Sequence, residues 1–271
     1  MSVSSELAAR IGAMRYVDLP EVAIHWAKVA LLDTIGVTLA GAREPTARIA
    51  ADVLDVDALP GPALVLGGRT RTRALDAALV NGAAAHALDF DDCNNTIGGH
   101  PSVPILPALI ALAEERHASG HDVLLAYVTG FEVETRIARA VHFHHYEKGW
   151  HPTATIGIFG CAAACARLLG LDAARTATAL AIAASFASGL KSNFGTMTKP
   201  LHVGHCTRNG LFAALLAERG YTAGNLAFEH RQGFFEVFNG TGNYDASKIF
   251  AQWAAPLDII RPGIAIKQYP C

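Results

Sequence analysis

Apolar residues recur at helical spacing along nearly the whole chain, and the polar residues that interrupt them gather into a few short stretches. Pro20 to Ala40, PEVAIHWAKVALLDTIGVTLA, predicts a helix with proline in its first turn and Gly41 beyond its end. Its apolar positions cover most of the circumference, which predicts burial all round. Asp33 inside it then requires a hydrogen-bonding partner, expected at a neighbouring helix end. Thr46 to Val56 makes a shorter helix, and GPALVLGG at 61–68 reads as a small strand or hairpin arm. Helices follow at Thr72 to Leu88, Pro101 to Arg116 and His121 to Val141. On the last of these Glu132, Glu134, Arg136 and Arg139 predict a solvated or ion-paired face. Thr153 to Leu169 and Asp172 to Ser188 predict a helical hairpin joined at Gly170. Gly189 to Pro200 is a polar loop, Leu201 to Gly220 is helix again, and shorter pieces run to Trp253. The fold class is therefore all-α, an Ala-rich helical domain over 1–265 with one strand-like piece near 61–68. The closing IAIKQY alternates like the start of a strand with nothing after it to pair with, so the full protein is expected to continue past Cys271.

With the helices set aside, the polar remainder lies in four places: Asp89 to His100, the stretch around His151, 191–199 with His202, and Lys267. The first carries Asp89, Asp91 and Asp92, then Gly98-Gly99 and a His100-Pro101 step between two apolar helices. Binding and catalytic groups collect on loops held by rigid elements; the plain alternative is a capped helix end with solvated aspartates. Asp, His and Lys without a Gly-rich phosphate cradle suit a small anionic substrate and proton transfer. Lysine holds a carboxylate as a point charge, and histidine takes or gives a proton near neutral pH.

Composition narrows this further. The 271 residues are 51% hydrophobic and 17% charged with net charge −2, which allows a large core and argues against a nucleic-acid face. No uninterrupted apolar run has the length of a membrane span, and the N-terminus lacks a secretory pattern. Five cysteines without a CxxC pair predict reduced thiols and a cytoplasmic location. Cys161 and Cys165, one turn apart, read as small packing residues. No GxSxG, Walker or strand-borne GxGxxG motif occurs. His142, His144 and His145, and the His202/His205 pair, match no known metal-ligand spacing, so no metal is expected. Cys93 beside Asp92 is a candidate nucleophile by type alone.

Five segments, taken together, carry a resemblance: LLDTIGVTLAGA, NGAAAHALDFDDCNNTIGGHPSVPILPALIALAE, GWHPTATIGIFG, TMTKPLHVGHCTRNG and IKQYPC. In this order they resemble the MmgE/PrpD family, whose members include a 2-methylcitrate dehydratase, decarboxylases and an epimerase of small carboxylates. The resemblance implies a large helical domain followed by an α+β lid, with 266–271 as the start of that lid and the rest of it missing. It places Asp89, His100, His151, Lys199 and Lys267 around a substrate pocket. Lys199 and Lys267 would pair with substrate carboxylates, His151 and His100 would transfer protons, and Asp89 would orient a histidine or act as an acid. Cys93 and Lys191 join them as substrate-binding positions. Cys93 stands where decarboxylase-type members carry threonine, Lys191 where they carry an apolar residue, and the loop before His100 is a residue longer. These departures count against a decarboxylase and leave dehydratase or epimerase open; the reading favoured is a hydro-lyase acting on a di- or tricarboxylate such as 2-methylcitrate. An epimerase using the same pocket, or a non-catalytic helical remnant lacking its lid, are the alternatives. The resemblance further implies a homodimer and neither cofactor nor metal.

Overall fold

A computed structural model describes residues 1–267. Twelve α-helices occur among them. In chain order they begin with α1 (Val3–Ala13), α2 (Glu21–Gly41) and α3 (Pro45–Val53), then an antiparallel hairpin of β1 (Pro60–Leu64) and β2 (Arg71–Thr72). There follow α4 (Ala74–Ala85), α5 (Leu106–Arg116), α6 (Gly120–Val141), α7 (His144–Glu147), α8 (Pro152–Thr155), α9 (Gly157–Leu168), α10 (Ala173–Phe186), α11 (Thr198–Glu218) and α12 (Phe234–Asn239). The starts of helices obey local chemistry. Ser119 and Asp122 cap the first turn of α6 reciprocally, and the Asp172 carboxylate accepts the Arg175 N–H at the start of α10. α5 begins five residues later than its apolar pattern predicts, because Pro101 to Ile105 form turns instead.

The centre of the molecule is α9, whose residues from Gly157 to Ala166 are all buried among α5, α6, α10 and α11. Cys161 and Cys165 are packing residues there, fully buried and unpaired. Small side chains let the helices approach closely. At the crossing of α4 and α11, a Cβ on Gly204 would lie 2.4 Å from the Leu79 carbonyl oxygen, so only glycine fits.

Two expectations need correction. α2 is not buried all round: its inward stripe is Ala23, Ala27, Ala30, Thr34, Thr38 and Gly41, while Leu32 is 73% exposed. The fully buried positions are all small, whereas Ile24, Trp26 and Leu31 pack against the core only partly covered and Leu32 and Leu39 are exposed. By length and composition α2 is apolar enough to cross a bilayer, with Lys28 and Asp33 within its span. Asp33 lies against the Asp92 backbone, its Oδ2 is buried without a hydrogen-bond partner, and burial raises its pKa above the ordinary value. On α6 the charged residues are not a solvated face, since Glu132, Glu134 and Arg136 are buried. Three of the four are ion-paired. Arg136 bonds Glu132 at 2.8 Å and donates to the carbonyls of Ala251 and Gln252; Glu132 accepts the N–H groups of Ala254 and Asp258; Arg139 forks onto Asp258 at 3.0 and 2.8 Å. Buried charge is thereby spent on backbone groups of an irregular segment that would otherwise lack partners. Glu134 has no such partner, and burial pushes its carboxyl well above the usual range, leaving it protonated.

The pinned segment leads back to the first polar loop. Ala265 pairs with Cys93 through two backbone hydrogen bonds of 2.8 and 2.9 Å, so the terminal run does have a partner strand-like neighbour. Gln268 to Cys271, the larger part of the expected lid start, lie outside the described residues.

Candidate active site

α4 ends at Ala85, and the loop that follows turns sharply at Asp89, whose φ of +58° lies in the left-handed region that aspartate tolerates better than most residues. The loop then folds on itself. The Asn94 side chain accepts the N–H groups of Thr96 and Ile97, and the Gly99 carbonyl accepts the Asn94 N–H. Glycine is required at 99, where a Cβ would lie 2.6 Å from the Thr153 hydroxyl. That hydroxyl accepts the His100 N–H, tying the loop to α8.

Three side chains of this loop form a charge ladder with His86. One oxygen of Asp91, fully buried, lies 2.8 Å from His86 Nδ1 and 3.0 Å from His100 Nδ1. His100 Nε2 lies 3.2 Å from Asp89, which also receives Lys199 Nζ at 2.9 Å and Lys267 Nζ at 3.4 Å. Lys199 is in the first turn of α11, which starts within the predicted loop. Burial disfavours charge on His100, but Asp91 and Asp89 on its two nitrogens outweigh it and hold the pKa at about 10, so the ring is an imidazolium. Against the effect of burial, the His100 and Lys199 cations keep Asp89 well below the usual carboxylate range. His86 is driven the other way: burial outweighs Asp91, so it is neutral and donates its Nδ1–H.

His151 caps α8 and stands beside this ladder, its ring 5.4 Å from that of His86 and 2% exposed. Burial first, then the neighbouring His86, His202, Lys199 and His100, pushes it well below its ordinary pKa, so it is neutral. The two candidate proton carriers therefore stand in opposite states, His100 loaded and His151 unloaded. Both line a hollow of about 310 Å³ together with Asp89, Cys93, Tyr146 and Lys199. A second hollow of about 460 Å³ shares Asp89, Phe194 and Lys199 with it and extends toward Glu44 and Thr46. An ammonium group, an imidazolium and a neutral imidazole around one hollow, with a second ammonium on Asp89 beside it, can receive a carboxylate and exchange a proton with the carbon next to that group.

Residues 5–247 match the MmgE/PrpD N-terminal domain. The chain belongs to the MmgE/PrpD family. It is 32% identical to human cis-aconitate decarboxylase over 277 residues, covering 99% of this chain and 56% of the relative. It is 33% identical to the mouse cis-aconitate decarboxylase, over 86% of this chain and 49% of that protein. For the Aspergillus terreus cis-aconitate decarboxylase the figures are 34%, 89% and 51%. The chain thus spans about half the length of the curated relatives it matches.

Of the residues singled out in the sequence, Asp89, Cys93, His100, His151 and Lys199 line one hollow, and Lys267 reaches Asp89 beside it. Lys191 does not line the hollow. Its ammonium donates to the Tyr146 carbonyl at 3.1 Å and sits 3.2 Å from the centre of the Tyr146 ring, so it supports a wall residue. Three members of the arrangement went unassigned: His86, Asp91 and His202. The signal for the first two was the HALDFDD run, in which His86 ends a helix five residues before Asp91. His202 pairs with His151 at 3.2 Å rather than with His205 one turn on. Asp92 turns away from the hollow and accepts the Ser102 N–H and hydroxyl at 3.2 and 2.5 Å. His86, Asp89, Asp91 and His100 bring four donor atoms within 4.8 Å of one another. In this structure the two carboxylates face His100 and the two lysines. His145 of the histidine tract is a packing residue, bonded to Asn239 and Thr155 and stacked on Trp150 and Phe238.

Proposed function

We propose that this protein is a lyase acting on a small di- or tricarboxylate. The observation that carries this reading is the pairing of a cationic cluster, Lys199, Lys267 and His100 around Asp89, with the neutral and nearly inaccessible His151 across the same hollow. A substrate carboxylate takes the place of Asp89 as partner of the lysines. His151 removes the proton from the carbon next to it, and the charge spreads into a carboxylate whose counter-cations are already in position. Loss of a β-hydroxyl completes a hydro-lyase reaction, with the His100 imidazolium as the proton source for the departing oxygen. By resemblance, Cys93, which lines the hollow, stands where decarboxylase-type members carry threonine, and this favours dehydration over decarboxylation. A second reading has its own support: the similar proteins are named cis-aconitate decarboxylases, and loss of carbon dioxide from an unsaturated tricarboxylate uses the same cations and a proton delivered by the same histidine.

The test is a panel of 2-methylcitrate, citrate and cis-aconitate, with alkene absorbance and carbon dioxide release followed separately and binding to the chain measured by calorimetry. The expected result is binding that weakens at least tenfold in Lys199→Ala, with alkene formation where turnover occurs. Carbon dioxide release without dehydration selects the second reading. Absence of both binding and turnover on every carboxylate defeats both.

A further inference from the structure

His151 and His202 face each other through like atoms. Their Nδ1 nitrogens are 3.2 Å apart, the rings tilted at 56°. A neutral imidazole has one N–H and one bare nitrogen. Two Nδ1 atoms at this distance bond only when one carries hydrogen and the other does not, so the rings must hold opposite tautomers. When the hydrogen crosses between them, both rings stay neutral only if the Nε2 of His151 gains a proton and the Nε2 of His202 loses one, so the outer Nε2 atoms exchange roles through that gain and loss. The groups packed around the pair keep it neutral. His151 faces His86 from the end of α4, His100 from the loop, and Lys199 and His202 from α11; His202 faces His86 and its own neighbour His205. Burial and these cationic or potentially cationic neighbours disfavour a second proton on either ring.

The two rings also differ in access. His151 is sealed at 2% exposure and lines the hollow with His100 and Lys199, whereas His202 lies on α11 behind it and is only partly buried. Gly189, with φ of +135°, lets the chain pass over the pair: a Cβ there would sit 3.4 Å from both His151 and His202. The Gly189 carbonyl holds the His151 backbone N–H at 3.0 Å.

We propose that His202 is a positioning residue that sets the tautomer of His151 and connects it to solvent as a two-histidine proton relay. The inference rests on the reading of His151 as the group that exchanges a proton with substrate. In the first half of the cycle His151 Nε2 accepts the substrate proton, the Nδ1 hydrogen of His151 passes to the bare Nδ1 of His202, and the Nε2 hydrogen of His202 leaves to water. One proton has moved from substrate to solvent, and both rings are again neutral. His151 is now in the tautomer that presents Nε2–H to the hollow, ready to donate. After product leaves, the Nε2 hydrogen of His151 passes to water in the emptied hollow, the Nδ1 hydrogen of His202 returns to His151 Nδ1, and His202 Nε2 takes a proton from water, which restores the starting state. A buried base is thus converted into a buried acid without charge remaining inside.

Two measurements test this. In the 271-residue chain labelled with ¹⁵N-histidine, long-range ¹⁵N–¹H spectra should show His151 and His202 as opposite tautomers, and His202→Phe should abolish any Nδ1–H form of His151 while circular dichroism stays unchanged. Equal tautomers in the parent overturn the relay whether or not the chain turns over. In the active protein, His202→Phe and His202→Ala should lower kcat about 100-fold, the lower end of the range for a positioned proton carrier, with KM nearly constant. Millimolar imidazole should restore part of the rate to His202→Ala alone. Full activity in both His202 variants, with His151→Ala inactive, removes the relay and leaves the lyase reading intact. Full activity in His151→Ala removes the lyase reading of this site.

Discussion

Asp92 offers the sharpest physical test of the buried architecture behind the site. Its carboxyl is fully buried, and burial raises its pKa from 3.8 to about 7, with Asp91 and Asp33 adding to the rise and Ser102 and His100 opposing it. A raised carboxyl pKa costs stability once the group must ionise in the folded state. Below the unfolded value both states are protonated and there is no cost. Between pH 4 and 7 the unfolded chain releases the proton and the native state does not, so stability falls as pH rises, and above pH 7 the full cost persists. About three pKa units at about 1.4 kcal/mol each amount to about 4 kcal/mol. Asp92→Asn is shaped like the protonated acid: its carbonyl can accept the Ser102 N–H, and its amide can donate to the Ser102 hydroxyl, which lies 2.7 Å from Tyr127. The variant should match or fall slightly below the parent at pH 4.5 and exceed it by several kcal/mol at pH 8. Urea unfolding of both proteins at pH 4.5, 6 and 8 measures this, and other titrating groups largely cancel in the difference. A difference that stays within about 0.5 kcal/mol over the whole range would refute the assignment of Asp92 as a buried acid, as extrapolation error is of that order.

Asp91→Asn removes the anion shared by His86 and His100. Burial then acts on His100 without its chief opponent, so its pKa should drop by several units from about 10, at a stability cost of about 3–5 kcal/mol for a broken buried pair. A ¹⁵N titration in which His100 of the variant is still protonated at pH 9 contradicts the charge ladder. Gly204→Ala places a methyl group against the Leu79 carbonyl and should cost about 1–3 kcal/mol through the contact of α4 and α11, lowering the urea midpoint at constant slope. An unchanged midpoint means that the two helices separate more freely than their packing implies.

Helices were legible because their cores repeat at the helical period, and the antiparallel arm at 61–68 because glycines bracket an apolar run. Helix starts and burial were read less well, for separate reasons. Pro101 to Ile105 are apolar enough to continue a helix, yet the Asp92–Ser102 bonds hold them as turns. The charged run on α6 looked like a wet face because charge and burial are usually exclusive. Its partners are backbone groups some 120 residues away, which no local pattern announces. In the site, the residues named by family resemblance converge, but Asp91 and His86 became visible only through contact with His100. Lys191 has the right charge and neighbourhood and still faces Tyr146, since which way a side chain turns depends on what packs around it.

The fully buried stripe of small residues on α2, with Leu32 outward, has a counterpart in the glycines Gly82 and Gly204 at the crossing of α4 and α11, and it decides how this protein can vary. Enlarging an inward alanine or glycine drives two helices apart, whereas the outward leucines can become polar with little loss. A saturation mutagenesis scan of this chain would therefore not track hydrophobicity. The least replaceable positions would be its smallest residues, and some of its greasiest would be among the most freely exchanged.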